Sequence, residues 1–104
     1  MRVLVVLSTT PDKKSARKIA RVLIQKKLAA CVSFVPSLES LYRWKGKIES
    51  VSEVLVIAKT SQSKWKALQK AMLEIHPYEV PEILCLSASR GSAGYLRWFG
   101  SVLK

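Results

Sequence analysis

The stretch from Cys31 to Lys59 constrains the fold of this chain more than any other. It consists of two apolar, β-branched runs that meet at Lys45-Gly46, and Gly46 is the one glycine between the first residue and Arg90. Because glycine adopts positive φ without steric cost, this position predicts the turn of a β-hairpin. Each arm has about 13 residues and would extend roughly 40 Å at about 3.3 Å per residue, whereas a flanking helix of about 16 residues covers about 24 Å. Part of the hairpin is therefore expected to project beyond its own domain.

The segment before the hairpin predicts one strand and one helix. Arg2 to Ser8 is a short Val-rich run, which is typical of a strand buried on both faces. Thr9 to Asp12 then offers a capping threonine, a proline for the first turn and an acidic residue for the positive end of a helix. The helix that follows carries one apolar stripe, and its many Lys and Arg residues occupy mostly the other face, which we expect to be solvated.

The segment after the hairpin predicts a second helix, a strand and a short terminal helix. Apolar residues recur with helical spacing from Trp65, and the helix must end by His76 because a residue before proline disfavours the α region. A rigid connector with two prolines leads into a last strand over Glu82 to Ala88. The terminal helix begins near Tyr95, where it could cover a sheet edge or a neighbouring molecule.

The resulting order, β-α-β-β-α-β-α, predicts an α+β, ferredoxin-like sheet. Right-handed crossovers give the strand order 4-1-3-2, with the first two helices on one face. Pro36 cannot donate to a ladder, so the first hairpin arm should lie at a sheet edge or carry a bulge. Cys31 and Cys85 then fall on opposite edges, roughly 14 Å apart by strand spacing, too far for an internal disulfide. Both are expected to be buried, reduced thiols.

Composition bounds the protein class. The 104 residues, 49% of them hydrophobic, predict one folded domain over residues 1–104. No apolar run approaches the roughly 20 residues that span a membrane, so no membrane association is expected and the cytoplasm is the default location. The 18 Lys and Arg against 7 Asp and Glu give a net charge of +11, which raises non-specific affinity for nucleic acid.

The residues also bear on two other functional classes, a nucleic-acid-binding module and an enzyme. A ferredoxin-like, basic domain could be a nucleic-acid-binding module, and this is the alternative function. RNA-recognition domains of this topology stack bases on aromatics of the two central strands, and Val3 to Leu7 and Val54 to Ile57 contain none. An enzyme is not expected, because the sequence shows no Gly-rich phosphate loop and no nucleophile with a base beside it.

Several motifs together resemble the CutA family of divalent-cation tolerance proteins. They match in order and spacing over nearly the entire chain. The motifs are Thr10-Pro11-Asp12, Leu28-Ala29-Ala30-Cys31-Val32, Ser40-x-Tyr42-x-Trp44-x-Gly46, Glu53, Lys59-Thr60, His76-Pro77-Tyr78-Glu79-Val80-Pro81-Glu82 and Tyr95-Leu96-x-Trp98. The resemblance implies a cytoplasmic homotrimer with PII-like architecture, associated with tolerance to copper and other divalent metals and with no secure enzymatic reaction.

The resemblance also implies a metal site, at which this chain departs from the family pattern. The copper ligands proposed for the family are a cysteine, where this chain has Ser8, and two histidines, where it has Ile75 and His76. His76 is therefore the one candidate metal ligand, for copper or another divalent cation. The alternative is structural: a charged histidine at a helix C-terminus, favoured by the helix dipole and bonded to the last carbonyls.

Two further sets of residues are candidates for assembly and ligand binding. Tyr42, Trp44 and Gly46 on the projecting hairpin are expected at the trimer interface, because exposed aromatics need a covering surface. The alternative for Tyr42 and Trp44 is that they stack on a ligand. A second set is expected to need partners because charges beside apolar strands are rarely left unpaired. It is predicted either to line a polar pocket between subunits or to fix the interface by structural pairing; its members are Glu53, Lys59, Tyr78 and Glu79.

Overall fold

The sheet and its helices follow the order that the sequence predicts, in a computed structural model that describes residues 2–104. The strands are β1 (Val3–Thr10), β2 (Cys31–Trp44), β3 (Lys47–Ser61) and β4 (Leu84–Ser87), and the helices are α1 (Lys13–Gln25), α2 (Trp65–Ile75) and α3 (Ala93–Val102). The four strands form one antiparallel sheet ordered β2-β3-β1-β4. The ferredoxin-like α+β prediction is confirmed.

The β2-β3 hairpin is long, as expected. Its arms have 14 and 15 residues, and they meet in a two-residue turn where Lys45 and Gly46 have φ of +50° and +78°. Two consecutive positive φ values are the signature of a type I′ turn, whose twist matches that of the strands it joins. The molecule measures 45 × 25 × 22 Å, and the hairpin accounts for its elongation.

A β-bulge divides the hairpin at Pro36. The pairing of β2 with β3 shifts register between Val35 and Leu38, and Ser37 takes a φ of +63°. Proline lacks the N–H that a regular ladder needs, so an edge strand with a bulge is where it is tolerated. The bulge also shifts the alternation of side chains along β2. It therefore determines on which face of the sheet each residue after Pro36 lies.

Helices α1 and α2 cover one face of the sheet. Ile19 and Leu23 of α1 and Leu68 and Met72 of α2 are fully buried against Val6 and its neighbours; each such side chain contributes about 1.5–3 kcal/mol by leaving water. Helix α1 is capped by Asp12, whose Oδ1 accepts the Ser15 N–H at 2.8 Å. The acidic residue thus caps the helix in place of the threonine that we expected.

The opposite face of the sheet is covered at one end. Phe99 and Leu103, in and after α3, pack on Val3. Beyond this contact lies a surface that we call the open face, identified by strand alternation and cross-strand pairing. It consists of Val5, Leu7, Val35, Leu55, Ile57, Leu84 and Leu86. Three of its members, Val35, Leu84 and Leu86, are exposed.

The two cysteines are free, and they lie on opposite edge strands as predicted. Their expected burial is wrong. Cys31 is half-buried and Cys85 is exposed, because β4 is a four-residue edge strand on which every residue is exposed. An apolar run in the sequence does not reveal whether the strand it forms has neighbours on both sides.

Candidate functional site

A cavity of about 520 Å³ lies where the hairpin, the end of β1 and the connector after α2 approach each other. The register of β3 brings residues from these three segments together. The lining consists of Thr9, Ser40, Leu41, Tyr42, Trp44, Glu53, Tyr78, Glu79, Val80 and Glu82. A volume of this size is typical of small-molecule sites.

The centre of the cavity is the contact between Glu53 and Tyr78. The Tyr78 hydroxyl donates to Glu53 Oε2 at 2.6 Å, and the Glu53 side chain is 6% exposed. Burial, followed by the bond to Glu53, raises the pKa of Tyr78. The phenol therefore stays protonated at neutral pH, and it serves as a hydrogen-bond donor to the carboxylate.

His76 lies behind this pair, at the point where α2 has ended and the connector begins. Its Nδ1 accepts the Tyr78 N–H at 3.1 Å, so the ring proton is on Nε2. Nε2 lies 3.0 Å from the Thr9 carbonyl oxygen, to which it donates its proton, and 3.3 Å from Ser8 Oγ. Burial lowers the pKa of His76, against the opposing effects of Thr9 and Glu53.

These contacts change the interpretation of His76. The expectation of a charged histidine bonded to the last carbonyls of its helix is wrong, because the ring bonds to β1 and its pKa is lowered. Ser8 and His76, which the resemblance placed in one ligand set, are adjacent, while Ile75 packs against the core.

A copper ion would meet a poor set of donors here. Both ring nitrogens of His76 are engaged in hydrogen bonds, and a hydroxyl in place of a thiolate suits soft metals poorly. Within residues 2–104, no three His, Cys, Asp or Glu side chains group in a way that could hold a metal ion. Metal ligation by His76 would have to displace one of its present contacts.

Lys59 does not join the other members of the predicted pocket. It lies six residues from Glu53 on β3, roughly 20 Å away at about 3.3 Å per residue. Its Nζ is 5.7 Å from the centroid of the Tyr95 ring. Burial acts to lower the pKa of Lys59, but Cys31 and Tyr95 outweigh it and raise the pKa. Within one chain the predicted set therefore divides, with Glu53, Tyr78 and Glu79 in the cavity.

The hairpin aromatics lie at the cavity, a position that fits the ligand-stacking alternative left open for them by the sequence. Tyr42 and Trp44, predicted at an interface, are partly exposed and line the cavity, whereas Gly46 lies in the turn with open space around it. Sequence reasoning missed Glu82 of the connector, which also lines the cavity. Because side chains alternate along a strand, counting back from the Lys45-Gly46 turn would have placed Tyr42 and Trp44 on the same face of β2.

The central strands β1 and β3 carry no aromatic residue. The base-stacking surface of an RNA-recognition domain is built from such residues, so the structure gives the nucleic-acid alternative no support. The strongly basic helix α1 does present its Lys and Arg side chains to solvent, as expected of a solvated face.

Comparison with known proteins points to one family. The family model for the CutA1 divalent ion tolerance protein matches residues 4–102. A protein CutA of Mus musculus is 46% identical over 94 residues, which are 90% of this chain and 53% of that protein. The divalent-cation tolerance protein CutA of Thermus thermophilus is 43% identical over 94 residues, 90% of this chain and 91% of that protein.

The fold comparison agrees with the sequence comparison. The crystal structure of CutA from Xylella fastidiosa superposes with a TM-score of 0.94 at 39% identity, and the match covers 98% of both chains. This chain spans about half the length of its mammalian relatives.

The relatives come from more than one compartment. One from Arabidopsis thaliana is named as chloroplastic, and one from Archaeoglobus fulgidus as periplasmic. Among residues 2–104 of this chain, no helix is long and apolar enough to cross a membrane. On the match to the family model and on these relatives, the chain belongs to the CutA1 divalent ion tolerance protein family.

Proposed function

We propose that this chain forms a single domain over residues 1–104 that works as a cytoplasmic homotrimer in tolerance of divalent metals, copper among them. It acts without catalysing a reaction, and it holds a small-ligand or metal site where subunits meet. The observation that carries the proposal is the open face: an apolar sheet surface that the chain's own helices leave uncovered, in a member of the CutA1 divalent ion tolerance family.

The open face supports association because of its chemistry. Leu84 and Leu86 are 57% and 55% exposed, and they continue an apolar surface formed by Leu7 and Ile57. Contiguous apolar patches of several hundred Å² on a soluble chain are typical of protein–protein contacts. Packing of these surfaces around a threefold axis would remove them from water.

The outer half of the hairpin, residues 38–53, supports assembly independently. Leu41 and Ile48 are 68% and 72% exposed, and cross-strand pairing places them on the face opposite Tyr42 and Trp44. A strand pair with apolar residues on both faces needs cover on both sides. In the proposed trimer that cover comes from the neighbouring subunit, and the cavity beside Trp44 is then part of the subunit boundary.

The metal part of the proposal falls on His76 with Ser8 beside it. Binding there requires His76 to give up a hydrogen bond to Thr9 or Tyr78. A site with one imidazole per subunit is expected to bind copper weakly. The exposed Cys85 thiol is a competing copper ligand, so it has to be removed in a test.

Native mass spectrometry with and without added Cu²⁺ tests assembly and metal binding together. The expected species has three times the 11.6 kDa chain mass, and it gains copper in a Cys85→Ser background but loses that copper with His76→Gln. A monomer at micromolar concentration would refute the trimer. A Cys85→Ser trimer that takes up the same amount of copper with and without His76 would refute the metal contact.

A further inference from the structure

The cavity concentrates negative charge in a strongly positive protein. The chain has 18 Lys and Arg and 7 Asp and Glu. None of the basic residues belongs to the cavity lining, whereas three of the acidic ones do, namely Glu53, Glu79 and Glu82. The chain thus excludes its own cations from this cavity while it collects carboxylates there, and such a lining attracts a positively charged ligand.

Glu53 supplies the second observation. Glu53 as a residue is 6% exposed, and within residues 2–104 its side-chain hydrogen bond is the one that Oε2 accepts from the neutral Tyr78 hydroxyl. Every fully buried side-chain polar atom in that part of the chain has a partner, so Oε1, which has none, keeps some exposed surface, and Glu53 lines the cavity. A buried carboxylate without a cation is costly, and a ligand cation would relieve that cost.

The remaining walls select among cations. Tyr42 and Trp44 present aromatic surfaces, which attract ammonium and guanidinium groups through the ring quadrupole. Val80 adds apolar surface, which fits methylene groups. A hard metal ion such as Ca²⁺ instead needs six to eight oxygen ligands, and within residues 2–104 no three His, Cys, Asp or Glu side chains group in a way that could hold a metal ion.

We infer that this cavity binds an organic cation of the alkylamine class. It is the small-ligand site of the proposed function, and the inference rests on that site. The ammonium group pairs with Glu53 on the side of the cavity nearer Tyr42, and a second amino group along the same chain reaches Glu79 or Glu82. The methylene groups between them contact Val80. A polyamine has this chemistry.

Isothermal titration with spermidine is the direct test, with 1,8-octanediol as a neutral chain of comparable length. The net charge of +11 repels cations from the protein surface as a whole, so spermidine binding cannot come from non-specific electrostatics. The expected result is one spermidine per chain, affinity that falls with added salt, and no heat from octanediol. Binding of Mg²⁺ or Ca²⁺ without binding of spermidine would overturn the inference.

Variants locate the site. Glu53→Gln is expected to weaken spermidine binding about tenfold or more, the usual effect of removing one charged hydrogen-bond partner. Glu79→Gln, at an exposed position, should weaken it severalfold and keeps the test valid if Glu53→Gln does not fold. Glu74→Gln removes the same charge from the exposed side of α2 and should leave affinity unchanged. Equal affinity in all three variants would overturn the inference.

The mass of the titrated species separates this inference from the proposed assembly. A trimer that binds no spermidine refutes the cation site and leaves the assembly standing. A monomer that binds one spermidine supports the site, because all the residues that line the cavity belong to one chain, and refutes the trimer. A neighbour's Lys or Arg that fills the cavity in the trimer would give the first of these outcomes.

Discussion

The two halves of the hairpin are made from the same pair of strands but depend on different surroundings. In the inner half, residues 31–35 and 54–61, the β3 side chains Val54, Val56 and Ala58 are buried against the helices. In the outer half, residues 38–53, Leu41 and Ile48 are exposed. Backbone pairing is continuous on both sides of the Pro36 bulge. The two halves therefore have the same backbone pairing, but the inner half also belongs to the core, whereas the outer half exposes apolar side chains.

The largest expected effect is on the inner half. Val56→Ala removes two methyl groups from a side chain that is 1% exposed, and we expect it to lower the free energy of unfolding by about 2–3 kcal/mol through lost transfer energy and a cavity. Val51→Ala makes the same change in the outer half, where the side chain is half-buried. It should lower stability by less than about 1 kcal/mol.

Urea denaturation at several protein concentrations measures both effects. Concentration dependence separates dissociation of an assembly from unfolding of the chain. Equal losses for Val56→Ala and Val51→Ala, independent of concentration, would show that the outer half is part of the same core and would remove the contrast between the halves.

A second substitution tests whether the outer half is an assembly surface. Ile48→Ser replaces a large exposed residue near the turn and is expected to weaken the trimer by about 2 kcal/mol per subunit, the level of an interface hot spot, with helix content unchanged by circular dichroism. Leu73→Ser, on the solvent side of α2, is the control because its side chain is similarly exposed. Sedimentation velocity measures the fraction of trimer in both variants. If the trimer is equally stable in the two variants, the interface lies elsewhere.

A substitution in the turn has a smaller effect on stability, and the same substitution in α3 is expected to have the opposite sign. Gly46→Ala puts a side chain at φ +78° with no atom within 4 Å, so its cost of about 1–2 kcal/mol comes from the backbone alone. Gly94→Ala, in the first turn of α3, meets its nearest atom at 3.9 Å and should stabilise by up to about 1 kcal/mol through helix propensity. Thermal melting measures both changes, and a loss in both would show that backbone conformation does not explain Gly46.

Rules that relate neighbouring residues in the sequence were sufficient to predict the strands, the helices and the turn that joins the hairpin arms. Glycine at the turn, proline at the bulge and Pro77 after α2 set the element boundaries, and alternation set the sheet faces. The site depends on longer-range geometry. His76 contacts β1 because of the path that the connector takes, and no spacing in the sequence encodes that path. The separation of Lys59 from Glu53 could have been predicted, since six residues on one strand cannot converge within a chain.

The smallest effect concerns the connector after α2, which contacts β1 through His76 and the outer half of the hairpin through Tyr78. The pKa of His76 is lowered from its ordinary value of 6.5, mainly by burial, so between the two values the unfolded chain holds the extra proton. The stabilising contribution of the neutral ring is therefore complete above about pH 6.5, and it is lost as the pH falls through the folded-state pKa. His76→Gln keeps a neutral donor and acceptor but does not titrate. Urea midpoints between pH 7.5 and 5 should fall less in this variant than in the parent, since the carboxylates common to both proteins cancel. A parent protein with the same pH dependence as the variant would mean that the pKa of His76 is the same in the folded and unfolded chains, and that its contacts to Thr9 and Tyr78 do not favour the neutral ring.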